Sequence, residues 1–141
     1  MKLKTILKIK IGCTLCFWSL PLLFFNSKVA RLLGFPDPQP RIWIHLLGAA
    51  YLALLVCYEI GRREHERGKD VRYVIAVGVV SNGLASLILW SFGLAQAWLE
   101  WGTAAKIYMW ASALLTLLIT LGLLASRKQA VALESEGRIL D

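Results

Sequence analysis

His45 stands out in this 141-residue chain because it combines an ionisable side chain with an apolar setting. It follows Arg41 and Trp43 at the start of an uncharged run that ends at Tyr58. A charge is costly in lipid, so an ionisable residue in such a run is a functional hypothesis by default. The imidazole could bind or protonate the polar end of a lipophilic molecule, or it could cap the bundle by hydrogen bonding to a neighbour. Both interpretations stay open.

Asn82 is the most central polar side chain of the third apolar run, so we expect its amide to face the other helices and to hydrogen-bond across them. It is either a packing clasp or a group that binds a ligand headgroup. Glu100 and Trp101 follow the same run. Six residues form the predicted ligand-binding set, for which a quinone is a possible cofactor: His45, Asn82, Arg41, Trp43, Glu100 and Trp101.

The cysteines and the second histidine do not predict a metal site or a catalytic residue. Cys13 and Cys16 form a C-x-x-C pair at about the depth of Cys57, but no loop is evident that would stabilise a thiolate. Small buried residues are therefore favoured over a three-cysteine metal or redox cluster. His65 lacks a second histidine at metalloprotease spacing, which favours a solvated connector.

Four apolar runs must position these residues, and they predict membrane spans at about 8–26, 42–60, 74–95 and 106–126. The uncharged run of 17 residues from Ile42 to Tyr58 gives roughly 26 Å of helix, close to the thickness of the hydrocarbon core. A hydrophobic content of 57% is too high for a soluble domain of this length. The sequence therefore predicts one all-α membrane domain over residues 1–141, an antiparallel four-helix bundle.

Prolines, glycines and charges predict how these spans begin, bend and end. Pro21 should kink the first span by removing a backbone hydrogen bond. A short interfacial helix is expected over Lys28–Gly34, before a loop in which alternating prolines forbid helix. The charged stretch Arg62–Arg72 predicts a brief connector between antiparallel helices, with Glu59 paired to one of its arginines. The basic N-terminus resembles a signal peptide, but no acceptable cleavage site follows, so we expect an uncleaved first span.

Small and polar residues recur at spacings of four on the third and fourth spans. Lipid provides no hydrophobic drive between helices, so close backbone approach and polar contacts must hold them together. Five residues are predicted to pack these helices: Gly78, Ser86, Ser112, Thr116 and Thr120.

The net charge of +7 indicates membrane topology and not a nucleic-acid partner, because the basic residues lie in short segments between apolar runs. Twelve Lys and Arg residues fall in the N-terminal segment, the Arg62 connector and the C-terminal tail, against four in the other two loops. The positive-inside rule then places both termini in the cytoplasm. The predicted location is a bacterial inner membrane, crossed several times.

Part of the chain resembles the DoxX-like group of small four-helix bacterial membrane proteins. The resemblance covers roughly residues 25–90. It rests on Leu32–Pro36 followed by further alternating prolines, on Trp43–His45, on the Gly-Ala-rich stretch Leu46–Leu54, and on Tyr58 before an Arg-rich turn. It implies a four-helix membrane bundle. In some relatives it implies a membrane subunit of quinone-linked sulfur oxidation or oxidative-stress complexes.

Two functions are therefore carried forward, together with the lipid bilayer as partner. The first is a non-catalytic accessory or scaffold subunit of a larger membrane complex. The second is a quinone- or lipid-binding subunit of a redox system. A small transporter ranks below both, because it would need an acidic residue within the membrane as its proton site. The first span has none, and Glu59 lies at the end of the second span.

Overall fold

The computed structural model describes residues 3–137, with side chains described as far as Arg127, and this part of the chain is helical without strands. The described residues form five helices: α1 (Leu3–Leu23), α2 (Ser27–Leu33), α3 (Ile42–Glu66), α4 (Arg72–Leu94) and α5 (Thr103–Gly137). All but α2 are long and apolar enough to cross a membrane. The predicted all-α bundle of four membrane-length helices is confirmed.

Contacts at both ends of the bundle show that its long helices run antiparallel. At the connector end, Lys4 of α1 forms an ion pair with Glu66 of α3, with Nζ and Oε1 2.7 Å apart. At the opposite end, which we call the proline-loop end, the backbone N–H of Gly102 donates to the carbonyl of Gly34 at 2.8 Å. The first and last inter-span loops are thereby joined.

The helix α1 changes geometry before Pro21. It is α-helical through Cys13, π-helical over Thr14–Ser19, and α-helical again from Leu20. Proline has no N–H, so Pro21 donates no backbone hydrogen bond to the preceding turn. The hydroxyl of Tyr108 on α5 donates to the carbonyl of Phe17, four residues before Pro21. The predicted disturbance at Pro21 thus takes the form of a π-helical turn, completed from another helix.

The short helix α2 is confirmed, with bounds one residue earlier than predicted. Asn26 caps its start, because its side-chain Oδ1 accepts from the backbone N–H groups of Lys28 and Val29 at 3.0 and 3.1 Å. Gly34 ends it in the left-handed region at φ 74°. A Cβ atom on Gly34 would lie 2.5 Å from the Cα of Gly102, so the two loops meet only where a side chain is absent.

The helix α3 extends further than the predicted 42–60 and reaches Glu66, so the connector begins at Arg67 and not at Arg62. Ion pairs along the helix explain the extension. Arg62 contacts Glu59 at 2.7 Å and Glu66 at 2.9 Å, and Arg63 contacts Glu59 at 2.7 Å. Pairs at these spacings stabilise a helical turn. The predicted pairing of Glu59 with an arginine of this segment is confirmed.

Helices α4 and α5 form one of the two most extensive pairs of the bundle, the other being α1 and α3. On α4, Gly78 and Ser86 are buried, and a Cβ on Gly78 would lie 2.6 Å from Leu123 Cδ1 of α5. On α5, Ser112 and Thr116 are buried and Thr120 is half-buried. The threonine hydroxyls donate to carbonyls of their own helix, at 2.9 Å for Thr116 and 2.8 Å for Thr120. Small size, more than cross-helix hydrogen bonding, characterises this interface.

The core lies between α1, α3, α4 and α5 towards the connector end. Leu7, Tyr58, Val74 and Leu123 are no more than 1% exposed. Many large apolar side chains point outwards instead, and they include Leu46, Val56, Val80, Leu87, Phe92, Leu114 and Leu118. A surface of this kind fits a lipid bilayer.

Candidate functional site

Arg41 and Trp43, two members of the predicted ligand-binding set, lie at the surface of the proline-loop end. Arg41 donates from Nε and Nη2 to the two carboxylate oxygens of Asp37, both at 2.7 Å, and also donates to the hydroxyl of Ser27. This bidentate bond holds the pKa of Asp37 below its ordinary value and raises that of Arg41. Trp43 is 70% exposed. Arg41 therefore anchors the proline loop.

His45 lies beside the end of α1 and caps its last turn. Its Nδ1 is 3.0 Å from the carbonyl oxygen of Leu23. A carbonyl oxygen can only accept, so Nδ1 is the donor in this hydrogen bond. The carbonyls of the last turn of a helix have no partner within the helix, and this bond satisfies one of them. The geometry matches the capping interpretation of His45.

Asn82 is buried as expected, but among the described residues its side chain hydrogen-bonds only within its own helix. Its side-chain N–H group donates to the carbonyl of Gly78, one turn earlier on α4, at 2.7 Å. That carbonyl is within reach because residues four apart stack on one helix face. Asn82 lines a small cavity that also holds Lys10 and Tyr58.

Glu100 and Trp101 are brought together at the proline-loop end, where both line an open cleft of about 760 Å³. Glu100 is exposed, whereas Trp101 is half-buried. Among the described residues, the cavity that Asn82 lines does not include Trp101. The predicted set is thus distributed between the surface, the α1 terminus and two separate cavities.

The cysteines remain thiols and do not gather with other ligands. Cys13 and Cys57 are half-buried and Cys16 is exposed. Over the described residues, no group of three or more His, Cys, Asp or Glu side chains could hold a metal ion.

An apolar pocket of about 210 Å³ lies behind the cleft, where the end of α1, α2, the proline loop and the starts of α3 and α5 meet. We call it the aromatic pocket. Its lining comprises Pro21, Leu22, Phe25, Val29, Leu33, Phe35, Pro36, Pro38, Ile44, Trp101, Tyr108 and Met109. Sequence reasoning identified only Trp101 among these as a candidate ligand-binding residue.

Phe35 contacts three other aromatic rings of this pocket. Its ring meets those of Phe25, Trp101 and Tyr108 edge-on, with centroids 6.2, 5.7 and 5.6 Å apart. Edge-to-face pairs of this kind hold aromatic side chains in defined orientations. The pocket wall is therefore fixed before any ligand enters. The sequence places Phe35 between Gly34 and Pro36 at the start of the proline loop. It does not show which aromatic rings contact Phe35.

The fold and the pocket define the chain as a small multi-pass membrane protein with an apolar cavity at one end. Comparison with known proteins finds no matching family model, no similar curated protein and no similar solved structure.

Proposed function

We propose that this protein is a non-catalytic membrane subunit that holds a lipophilic ring, such as that of a quinone, in the aromatic pocket. The observation that carries the proposal is the pocket itself, an apolar space of about 210 Å³ walled by fixed aromatic rings. Ligand sites are typically concave, mostly apolar and largely preformed. The proposal places the chain among the DoxX-like subunits of redox systems in a bacterial inner membrane, with both termini in the cytoplasm.

The size of the pocket supports a ring and not a large cofactor. Sites for drug-sized ligands occupy roughly 300–1,000 Å³, which is more than the 210 Å³ available. A single ring with the start of its lipid tail is a suitable occupant, the tail leaving towards the bilayer.

The polar groups of the pocket support binding without chemistry. The described lining contains no acidic or basic side chain. The hydroxyl of Tyr108 is already donated to the Phe17 carbonyl, while the indole N–H of Trp101 has no acceptor among the described residues. Trp101 can therefore donate one hydrogen bond to a ring carbonyl, but there is no proton donor or acceptor suited to catalysis.

Filling the pocket tests this proposal. Val29 lines the pocket from α2, whereas Leu32, on the same helix, is 83% exposed. We expect purified Val29→Trp to lose binding of a short-chain ubiquinone analogue, measured by quenching of tryptophan fluorescence, by at least tenfold. Leu32→Trp adds the same indole outside the pocket and should bind like the parent protein. Equal binding by both variants would contradict the proposal.

The accessory-subunit part needs a separate experiment. Native protein extracted in a mild detergent or polymer should carry both a larger membrane protein in fixed ratio and a lipophilic ring compound, each identified by mass spectrometry. A protein that is always isolated alone, with only bulk phospholipid, would argue against both parts.

A further inference from the structure

Lys10 is buried within the bundle, although its place in the sequence is next to the basic N-terminus. It lies on the face of α1 that carries Ile6 and Thr14, and its residue is only 2% exposed. Its Nζ lies 4.1 Å from the centroid of the Tyr58 ring on α3. The ring face favours a cation, so the ammonium group is held in place at this position.

The side chain of Lys10 faces a small space of about 20 Å³, which we call the lysine cavity. Its walls come from all four long helices and comprise Lys10, Thr14, Trp18, Tyr51, Leu54, Tyr58, Ser81, Asn82, Ala85 and Thr116. The lysine cavity shares no lining residue with the aromatic pocket. It therefore has to be explained separately from the proposed function.

Three polar side chains in the wall of the lysine cavity already have hydrogen-bond partners, whereas the ammonium group of Lys10 has none among the described residues. Tyr58 and Ser81 share a hydrogen bond of 2.9 Å, and Ser81 donates in turn to the carbonyl of Gly78. Asn82 donates to the same carbonyl. These donors are thus already engaged within the wall. The ammonium group of Lys10, with three N–H donors, has neither a hydrogen-bond acceptor nor a carboxylate among the residues whose side chains are described.

A positive charge buried in a membrane protein is stabilised by a negative partner. Ionisable groups inside membranes face the bundle interior or a water-filled cavity, pair with another charge or with backbone carbonyls, and mark ion pathways. Among the described residues no acidic side chain lines the lysine cavity, so a counter-ion from solution is the candidate partner. About 20 Å³ is enough for one particle of the size of water, since roughly 10–15 Å³ is the minimum for a water molecule.

We infer that the lysine cavity is a binding site for a small monovalent anion of halide size, held by the Lys10 ammonium group. A space of about 20 Å³ suits a single small ion better than phosphate or another polyatomic ligand. The cavity wall also provides the hydroxyl of Thr14, which has no partner among the described residues and can donate to the same ion.

Halide-dependent stability tests this inference. A ligand that binds only the folded state raises its stability in proportion to the logarithm of ligand concentration above Kd. Purified protein should therefore unfold at a higher temperature in sodium chloride or bromide than in sodium gluconate at equal ionic strength. Lys10→Met keeps the apolar stem but removes the charge, and it should lose this difference. Lys8→Met removes the same charge from an exposed position of α1 and should behave like the parent protein.

Bromide diffraction provides a test that does not depend on the folding of Lys10→Met. Crystals of the parent protein grown in bromide should show an anomalous peak beside Nζ of Lys10. A peak absent from the lysine cavity, or a halide-dependent shift of equal size in the parent protein and Lys10→Met, would overturn the inference.

Discussion

Two carbonyl oxygens of α1 depend on single side chains from other helices. The Phe17 carbonyl accepts from Tyr108 of α5, and the Leu23 carbonyl accepts from His45 of α3. The first lies four residues before Pro21, which has no N–H to donate, and the second lies in the last turn of the helix. Residues that look like candidates for ligand chemistry therefore also complete the backbone of a neighbouring helix.

His45→Ala should destabilise the protein because it leaves the Leu23 carbonyl without its side-chain donor. The free energy of unfolding should fall by about 1 kcal/mol, the net value of one hydrogen bond. The decrease should approach about 3 kcal/mol if no water molecule replaces the lost donor. Chemical unfolding in detergent measures it. Leu46→Ala, which alters the next residue at a 52% exposed position, should have a smaller effect. A stability of His45→Ala equal to that of the parent would contradict the capping role.

At the scale of elements, the proline-loop end depends on contacts between loops more than on contacts between helices. Gly34 and Gly102 meet backbone to backbone, and Arg41 is held to Asp37 by two hydrogen bonds. These contacts place Phe35 and its neighbours around the aromatic pocket. The shape of the pocket should respond to changes in the loops.

Gly34→Ala should destabilise the protein for two separate reasons, a positive φ and a Cβ only 2.5 Å from the Gly102 Cα. Gly68→Ala is the matched control, because Gly68 also has a positive φ, of 73°, but has open space around it. The control should lose about 1 kcal/mol, the cost of the left-handed conformation alone. Gly34→Ala should lose clearly more in thermal unfolding. Equal losses would show that the two loops do not need this close approach.

The Asp37–Arg41 pair should make the proline loop sensitive to acid. Because the hydrogen bonds from Arg41 lower the pKa of Asp37 below 3.8, the folded protein holds this proton less tightly than the unfolded chain. The stabilising contribution is therefore fully present above about pH 4 and is lost as the pH falls through the lowered pKa. Unfolding measured against pH should show this loss in the parent protein.

Asp37→Asn provides the comparison for that pH profile. It should be less stable than the parent at neutral pH, and the difference should shrink as the solution is acidified. Glu100→Gln removes an exposed carboxylate from the same proline-loop end. Its stability should depend on pH in the same way as that of the parent protein. A constant difference between Asp37→Asn and the parent at every pH would argue against the ion pair as the cause.

At the scale of the whole molecule, the positions of the helices could be predicted from the sequence because they depend on local properties. Apolar runs between charged segments predicted four spans, and Gly34 predicted the end of α2. The end of α3 was wrong by six residues, because a charged segment can remain helical when its charges pair along the helix.

The contents of the cavities depend on distant residues and were not predicted. Lys10 was assigned to the basic N-terminus by its place in the sequence. Its spacing of four from Ile6 and Thr14 was a signal that it shares their face, but burial depends on what α3, α4 and α5 present to that face. Likewise, no local pattern pairs Tyr108 with a carbonyl 91 residues away.

The predicted topology is open to labelling in a variant without native cysteines. Lys69→Cys lies in the exposed connector and Ala97→Cys in the exposed loop after α4. With both termini in the cytoplasm, a membrane-impermeant thiol reagent applied to intact cells should modify Ala97→Cys but not Lys69→Cys. Modification in the reverse order would place the connector outside.

Photolabelling is the most direct test of the central claim that the aromatic pocket holds a lipophilic ring. The protein would be irradiated in membranes with a photoreactive ubiquinone analogue, and labelled peptides would be mapped by mass spectrometry. We predict labels on Phe35, Trp101, Tyr108 or Met109, all in the pocket wall, and their loss when unlabelled quinone is added in excess. Labels spread over the lipid-facing surfaces, unaffected by the competitor, would contradict the claim.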